Sequence, residues 1–175
     1  MLATMKNIIF INGTMGVGKT TTSRELQKLL PNCAFLDGDW CWDMSPFIVN
    51  DETKKMVVDN ICYLLNNYIA CSVFKNIIFC WVMHEQGILD DILSRLHLQD
   101  CALYKFSLVC SKQSLKSRIM KDVERGVRDK DVIDRSLPRL RNYFDMDTVK
   151  IDVSNISAKE AAEVIYKHIV HRKFY

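Results

Sequence analysis

Short apolar runs alternate along this chain with longer stretches in which apolar residues recur every third or fourth position. The runs have strand length and the stretches have helix period. Their alternation is the signature of repeated βα units, and so of an α/β fold whose parallel sheet is covered by helices on both faces. Five strands are expected: Asn7 to Ile11, Ala34 to Leu36, Asn76 to Val82, about Leu103 to Val109, and Val149 to Val153. Thr20 to Leu30 predicts a helix that Pro31 and Asn32 terminate, and Glu52 to Ile69 sets Val57, Ile61, Leu64, Leu65 and Tyr68 on one face. Ile88, Leu89, Ile92, Leu93 and Leu96 form a similar stripe. Leu115, Ile119 and Val123 form another that runs up to Gly126, a natural helix stop, and Ser157 with Glu160 is a capping box that starts a C-terminal helix. No repeat, low-complexity tract or linker interrupts the pattern, so residues 1–175 read as a single domain.

Composition narrows the class of partner. The net charge of +3 is too small to point to nucleic acid or an anionic membrane as the main partner. Residues 112–141 nevertheless carry ten Lys and Arg against five Asp and Glu, so any basic site lies there. Seven cysteines, an odd number with no C-x-x-C spacing, fall mostly in apolar runs and read as reduced core residues. The start lacks a signal-peptide layout and no apolar run has bilayer-spanning length, so a cytoplasmic protein without a membrane partner is expected.

One motif carries specific chemistry. Gly13-Thr14-Met15-Gly16-Val17-Gly18-Lys19-Thr20 fits G-x-x-x-x-G-K-[ST], with an apolar strand before it and a helix pattern after it. Glycines let the backbone turn its N–H groups inward and approach phosphates closely, and the helix N-terminus adds a favourable dipole for an anion. Lys19 would reach the β and γ oxygens, and Thr20 would offer a hydroxyl to Mg²⁺. Thr21, the next residue, completes the set expected to bind ATP.

Absences choose among the branches that use such a loop. The sequence has neither the N-K-x-D guanine reader nor the D-x-x-G switch of GTPases. The candidate third strand, running into Cys80-Trp81-Val82-Met83-His84-Glu85, does not end in the aspartate that a remodelling or motor ATPase uses, and the chain is short for the extra helical domain of such machines.

What remains resembles the small P-loop kinases of the shikimate, gluconate and adenylate kinase group and the related antibiotic-resistance phosphotransferases. The resemblance rests on the loop at 13–20, the pair Asp37-Gly38-Asp39 after strand two, the arginine-bearing segment at 118–141, and "KIDVSN" at 150–155. It implies a five-stranded parallel sheet, ATP with Mg²⁺, an acceptor pocket after strand two and a mobile lid over about 118–141. By the same resemblance Asp37 would be the base and a water-mediated Mg²⁺ contact, Asp39 would bind acceptor hydroxyls beside Trp40, and Ser154 to Ile156 would turn near the adenine. Arg125, Arg128 and Arg135 are the lid cations expected to neutralise charge on the triphosphate, with Arg118 and Arg139 as further candidates.

The acceptor is read from what its segment lacks. From Asp37 to Phe74 there is no arginine; Lys54 and Lys55 are the cations, against Asp37, Asp39, Asp43, Asp51, Glu52 and Asp59, with Trp40, Trp42 and Phe47 among them. An acidic, aromatic pocket predicts a neutral or cationic acceptor: a nucleoside, sugar or amino-sugar antibiotic. A nucleotide-binding regulator or slow NTPase without such an acceptor is the alternative. A kinase of nucleic-acid ends is disfavoured by the modest charge.

Overall fold

The computed structural model describes residues 5–171. Five strands, β1 (Lys6–Asn12), β2 (Cys33–Asp37), β3 (Asn76–Trp81), β4 (Cys101–Val109) and β5 (Val149–Asp152), form one sheet in the order β2-β3-β1-β4-β5. Every pairing is parallel. The helices between and after them are α1 (Lys19–Leu29), α2 (Asp51–Ala70), α3 (Gln86–Ser94), α4 (Lys112–Glu124), α5 (Val132–Arg139), α6 (Asn142–Asp145) and α7 (Ala158–His171). A 3₁₀ turn at Gly38–Trp42 follows β2 directly.

Strand side chains alternate between two faces, and each face is buried. Ile9, Ile11, Ile78 and Phe106 pack with Leu26 of α1, Leu115 and Ile119 of α4, and Ile165 of α7. Ile8, Phe10, Ile77 and Phe79 pack on the other side with Val57, Ile61 and Leu65 of α2 and with Leu89 and Ile92 of α3. This double burial is why the strands are continuously apolar, and the sheet covered on both faces is the one the pattern predicts.

The differences lie at boundaries. β4 begins at Cys101, two residues earlier than expected, because Lys6 and Cys101 already stand in register at the start of the β1–β4 ladder. β3 stops at Trp81 and β5 at Asp152, one residue short of expectation in each case. The short helix α6 has no periodic signature in the sequence. The cysteines are free, but only Cys62, Cys80 and Cys110 are buried; Cys33, Cys41, Cys71 and Cys101 are half-buried, so their placement in the core holds for three of the seven. Among the described residues no helix is long and apolar enough to cross a membrane.

Candidate functional site

β1 lies at the centre of the sheet beside β3; the chain leaves β1 toward β2 on one side and leaves β3 toward β4 on the other, and the crevice at such a switch point lies beyond the strand C-termini. The loop from Gly13 to Gly18 occupies that position. It is fixed from below by buried Asn12, whose Oδ1 accepts from Gly13 N at 2.8 Å and from Met83 N at 3.1 Å, tying the loop's entry to the end of β3. Thr14 Oγ1 donates to Ser136 O at 3.1 Å, tying the loop to α5. Gly16 has φ +79°, and a Cβ there would stand 2.5 Å from Ile119 Cγ1, so backbone sign and space both require glycine. Gly18 caps α1, and Lys19 is its first residue.

Lys19 is buried and donates to Thr14 O at 3.1 Å, folding its ammonium back over the loop. Burial pushes its pKa down, while Asp39 and Asp37 oppose that shift. Thr20 Oγ1 donates to Asp37 Oδ2 at 2.6 Å, and Asp37 Oδ1 accepts from Asp39 N at 3.1 Å. Asp37 is buried at the end of β2, in register with Cys80 of β3. The Cys80 thiol is pushed up to about 12, first by burial and then by the charge of Asp37, so it stays protonated there. Partial withdrawal from water raises the pKa of Asp39, Asp37 adds to that, and Lys19 works against it.

Of these groups Asp39 reaches a cavity of about 820 Å³, lined also by Trp40, Trp42, Phe47, Trp81 and Arg139, with Met15, Asp43, Lys54, His84 and Arg135 on its walls. Gly38 lets the wall close: a Cβ there would come within 2.6 Å of Trp81 Cδ1 and 2.9 Å of Trp81 Cβ. The acidic character expected of residues 37–74 alone does not describe this space, because α5 brings Arg135 and Arg139 into it from far along the chain. The lining holds two aspartates against two arginines and a lysine.

The other candidate residues are distributed as follows. Arg118 is held by three carbonyls: it donates to Val17 O at 2.8 Å, to Val153 O, and to Ile156 O at 3.5 Å, so it braces the loop against the turn after β5. With Gly18, Thr21, Thr22, Val153 and Ile156 it lines a cavity of about 260 Å³ beside the first turn of α1. Ser154 and Asn155 line an adjoining polar cavity of about 610 Å³. Arg128 pairs with Asp122 at 3.0 Å, and its charge bears on Lys19 and Asp39. Arg135 pairs with Asp131 at 2.9 Å on the rim of the large cavity. Arg125 is exposed at the end of α4, where its side chain meets no hydrogen-bond or ion-pair partner among the described residues.

Sequence reasoning gave no role to Trp81 or His84 and placed Arg139 only among the lid cations, although all three line the large cavity. Strand C-termini form the crevice in this architecture, so Trp81 at the end of β3 carried a usable signal. Among the described residues no cluster of three or more His, Cys, Asp or Glu side chains could hold a metal ion. Magnesium bound with a polyphosphate takes only one or two protein oxygens, its other ligands being phosphate and water, and Thr20 Oγ1 with Asp37 Oδ2 fits that demand.

Residues 9–139 match the protein family described as AAA domain. The chain belongs to that family. No curated protein matches it. Among solved structures, this AAA-domain chain is similar to shikimate kinase from Acinetobacter baumannii in complex with shikimate, at 21% identity over 99% of this chain and 97% of that one, with a TM-score of 0.66. It is similar to the Deinococcus radiodurans tunicamycin resistance protein at 20% identity, over 94% and 95% of the two chains, with a TM-score of 0.63. A gluconokinase from Sinorhizobium meliloti 1021 is 14% identical over 97% and 98%, with a TM-score of 0.65. At these identities the likeness is one of fold, a P-loop-type kinase fold shared along nearly the whole chain.

Proposed function

We propose that this AAA-domain protein is an ATP-dependent phosphotransferase that moves the γ-phosphoryl group to a hydroxyl of a small molecule. The observation that carries the reading is the position of Asp37: bonded to Thr20 of the Gly13–Thr20 loop on one side, and two residues from Asp39 in the wall of a cavity of ligand size on the other. The fold shared with a shikimate kinase and a gluconokinase supports the same reading.

In this reading the backbone N–H groups of the loop and Lys19 hold the β and γ phosphates. Thr20, with Asp37 through water, would hold Mg²⁺, which would supply charge neutralisation on the phosphate oxygens. The acceptor's hydroxyl oxygen bonds to the γ-phosphorus as the bond from that phosphorus to the β-γ bridging oxygen breaks; ADP leaves, and the hydroxyl proton passes to Asp37. Asp39 orients the acceptor. Arg128 comes from the segment proposed as a lid and adds positive charge beside Lys19. The base would lie against Arg118 in the cavity beside α1. Phosphoryl transfer asks a protein mainly for this positioning and charge balance.

The expectation of a neutral or cationic acceptor is not carried forward. Arg139 lines the cavity, half-buried, with no hydrogen-bond or ion-pair partner for its side chain among the described residues, so the mixed lining gives no preference for a cation. The deciding experiment offers Mg·ATP with a panel of monophosphates, carboxylated polyols, neutral nucleosides and aminoglycosides, and follows both ADP and phosphorylated product. Acceptor-stimulated ADP release with matching product supports the phosphotransferase. Release indifferent to every acceptor would instead make the chain a slow NTPase.

A further inference from the structure

All three tryptophans of the chain, Trp40, Trp42 and Trp81, line the cavity of about 820 Å³. Phe47 and Val49 extend its apolar wall to the mouth, where they are 67% and 54% exposed. Trp42 and Phe47 make a tilted ring contact, 5.9 Å between centroids and 51° between planes, which keeps this wall together although it faces water. A volume of about 820 Å³ falls in the range of sites for drug-sized ligands, roughly 300–1,000 Å³.

A small polyol does not fit that description. Each of its hydroxyls loses water on binding and needs a polar partner, and indole, phenyl and valine surfaces offer few. The charged side chains Asp39, Asp43, Lys54, Arg135 and Arg139 share the lining with these apolar surfaces, and Asp39 is the one that stands next to Asp37, which is bonded to Thr20. A ligand that uses this space presents a hydroxyl at the carboxylates and lays an apolar body on the aromatic wall.

Resting on the phosphotransferase reading, we infer that the acceptor is amphipathic: an alcohol whose large apolar moiety, an aromatic ring system or an aliphatic chain, lies against Trp40, Trp42, Trp81, Phe47 and Val49. Trp40 is already held on its other side, edge to face with Phe35 at 5.4 Å and with the Arg24 guanidinium 5.4 Å from its ring centroid. The wall is therefore built before the ligand arrives, and the apolar surface left in water at its mouth is what the ligand covers.

The test needs no nucleotide. Methyl, butyl, hexyl and octyl β-glucosides, each below its micellar concentration, are titrated against the intrinsic fluorescence of the full chain, with phenyl β-glucoside as a parallel arm. Because every tryptophan lines this cavity, occupation by an apolar group shifts the emission to the blue. Affinity is expected to tighten with chain length by up to about fourfold per buried methylene. A greater gain from phenyl than from hexyl assigns the preference to rings; the reverse assigns it to chains. Phe47→Ser and Val49→Ser, singly and together, change residues that are exposed in the free protein, so each variant folds and each should flatten the series. Equal affinity across the series, or a slope unchanged in the double variant, overturns the inference. Phosphorylated glucoside is then sought separately with Mg·ATP: its absence counts against the phosphotransferase reading and leaves the fluorescence result standing.

Discussion

Thr20 of α1 and Asp37 of β2 are joined by a hydrogen bond of 2.6 Å, although 17 residues separate them in sequence. The bond places a buried carboxylate directly beside the hydroxyl that follows Lys19. Thr20 is exposed, so the pair lies at the boundary between the loop and the crevice.

Asp37→Asn separates binding from chemistry at that boundary. The amide keeps an oxygen for the Thr20 hydroxyl but cannot take a proton. ATP-analogue affinity should stay near that of the parent, while acceptor-dependent turnover falls by about 10²-fold or more. Titration with a non-hydrolysable analogue, run beside steady-state kinetics, decides it: collapsed affinity with preserved turnover of bound ATP would reduce Asp37 to a metal contact.

In the proposed phosphotransferase, Lys19→Ala removes a preorganised charge that would act on the phosphates. Such a loss costs on the order of 10²–10³ in rate. Because Lys19 is buried and its ammonium carries a desolvation cost, thermal stability should be equal or higher in the variant, so a dead enzyme with an intact melting transition is the expected result. Near-normal activity in that folded protein would remove Lys19 from the mechanism.

The pH dependence of stability should carry a signature of Asp39. Its carboxyl pKa is raised in the folded protein by partial burial and by Asp37, so the fold binds that proton more tightly than the unfolded chain does. Its contribution is then most favourable at low pH and is lost as pH rises through the raised value. Asp39→Asn should accordingly melt higher than the parent near pH ~7, with the gap narrowing toward pH ~4. A gap that widens on acidification would contradict the assignment.

Motion in the basic segment should be uneven. Arg118 is tied to Val17, Val153 and Ile156, which pins the middle of α4, whereas residues 124–127 and 129–131 are exposed. Amide exchange in the free protein should therefore be fastest at about 124–131, not at Arg118, and should slow when ATP and acceptor bind together. Equal exchange in the free and doubly bound states would leave this segment without a role as a lid.

Periodicity and composition made the sheet legible. β1 and β3 are apolar because helices cover both their faces, and the Ser157–Glu160 capping box predicted the start of α7, with Glu160 Oε2 accepting from Ser157 N at 2.7 Å. The form of the Gly13–Thr20 loop was legible for the same kind of reason, since the glycines that take positive φ, Gly13, Gly16 and Gly18, lie close together in sequence. The cavity was not. Its charge comes from Asp39, Asp43 and Lys54 together with Arg135 and Arg139, far later in the chain, and a local tally of residues 37–74 could not include what α5 contributes. Arg118 shows the same limit: in sequence it is one cation in a basic run, while in space it is a brace with three carbonyl partners.

Gly38 and Trp81 bind two distant positions into one choice. Because the indole lies where a Cβ at residue 38 would have to stand, and Trp81 Cβ itself is only 2.9 Å from that point, no rotation of the ring relieves the clash. In any lineage descended from this protein the two positions should co-vary: a side chain at 38 should be found only with glycine at 81. Losing that indole would open the aromatic wall, so a drift at one glycine would change which molecules the cavity can hold.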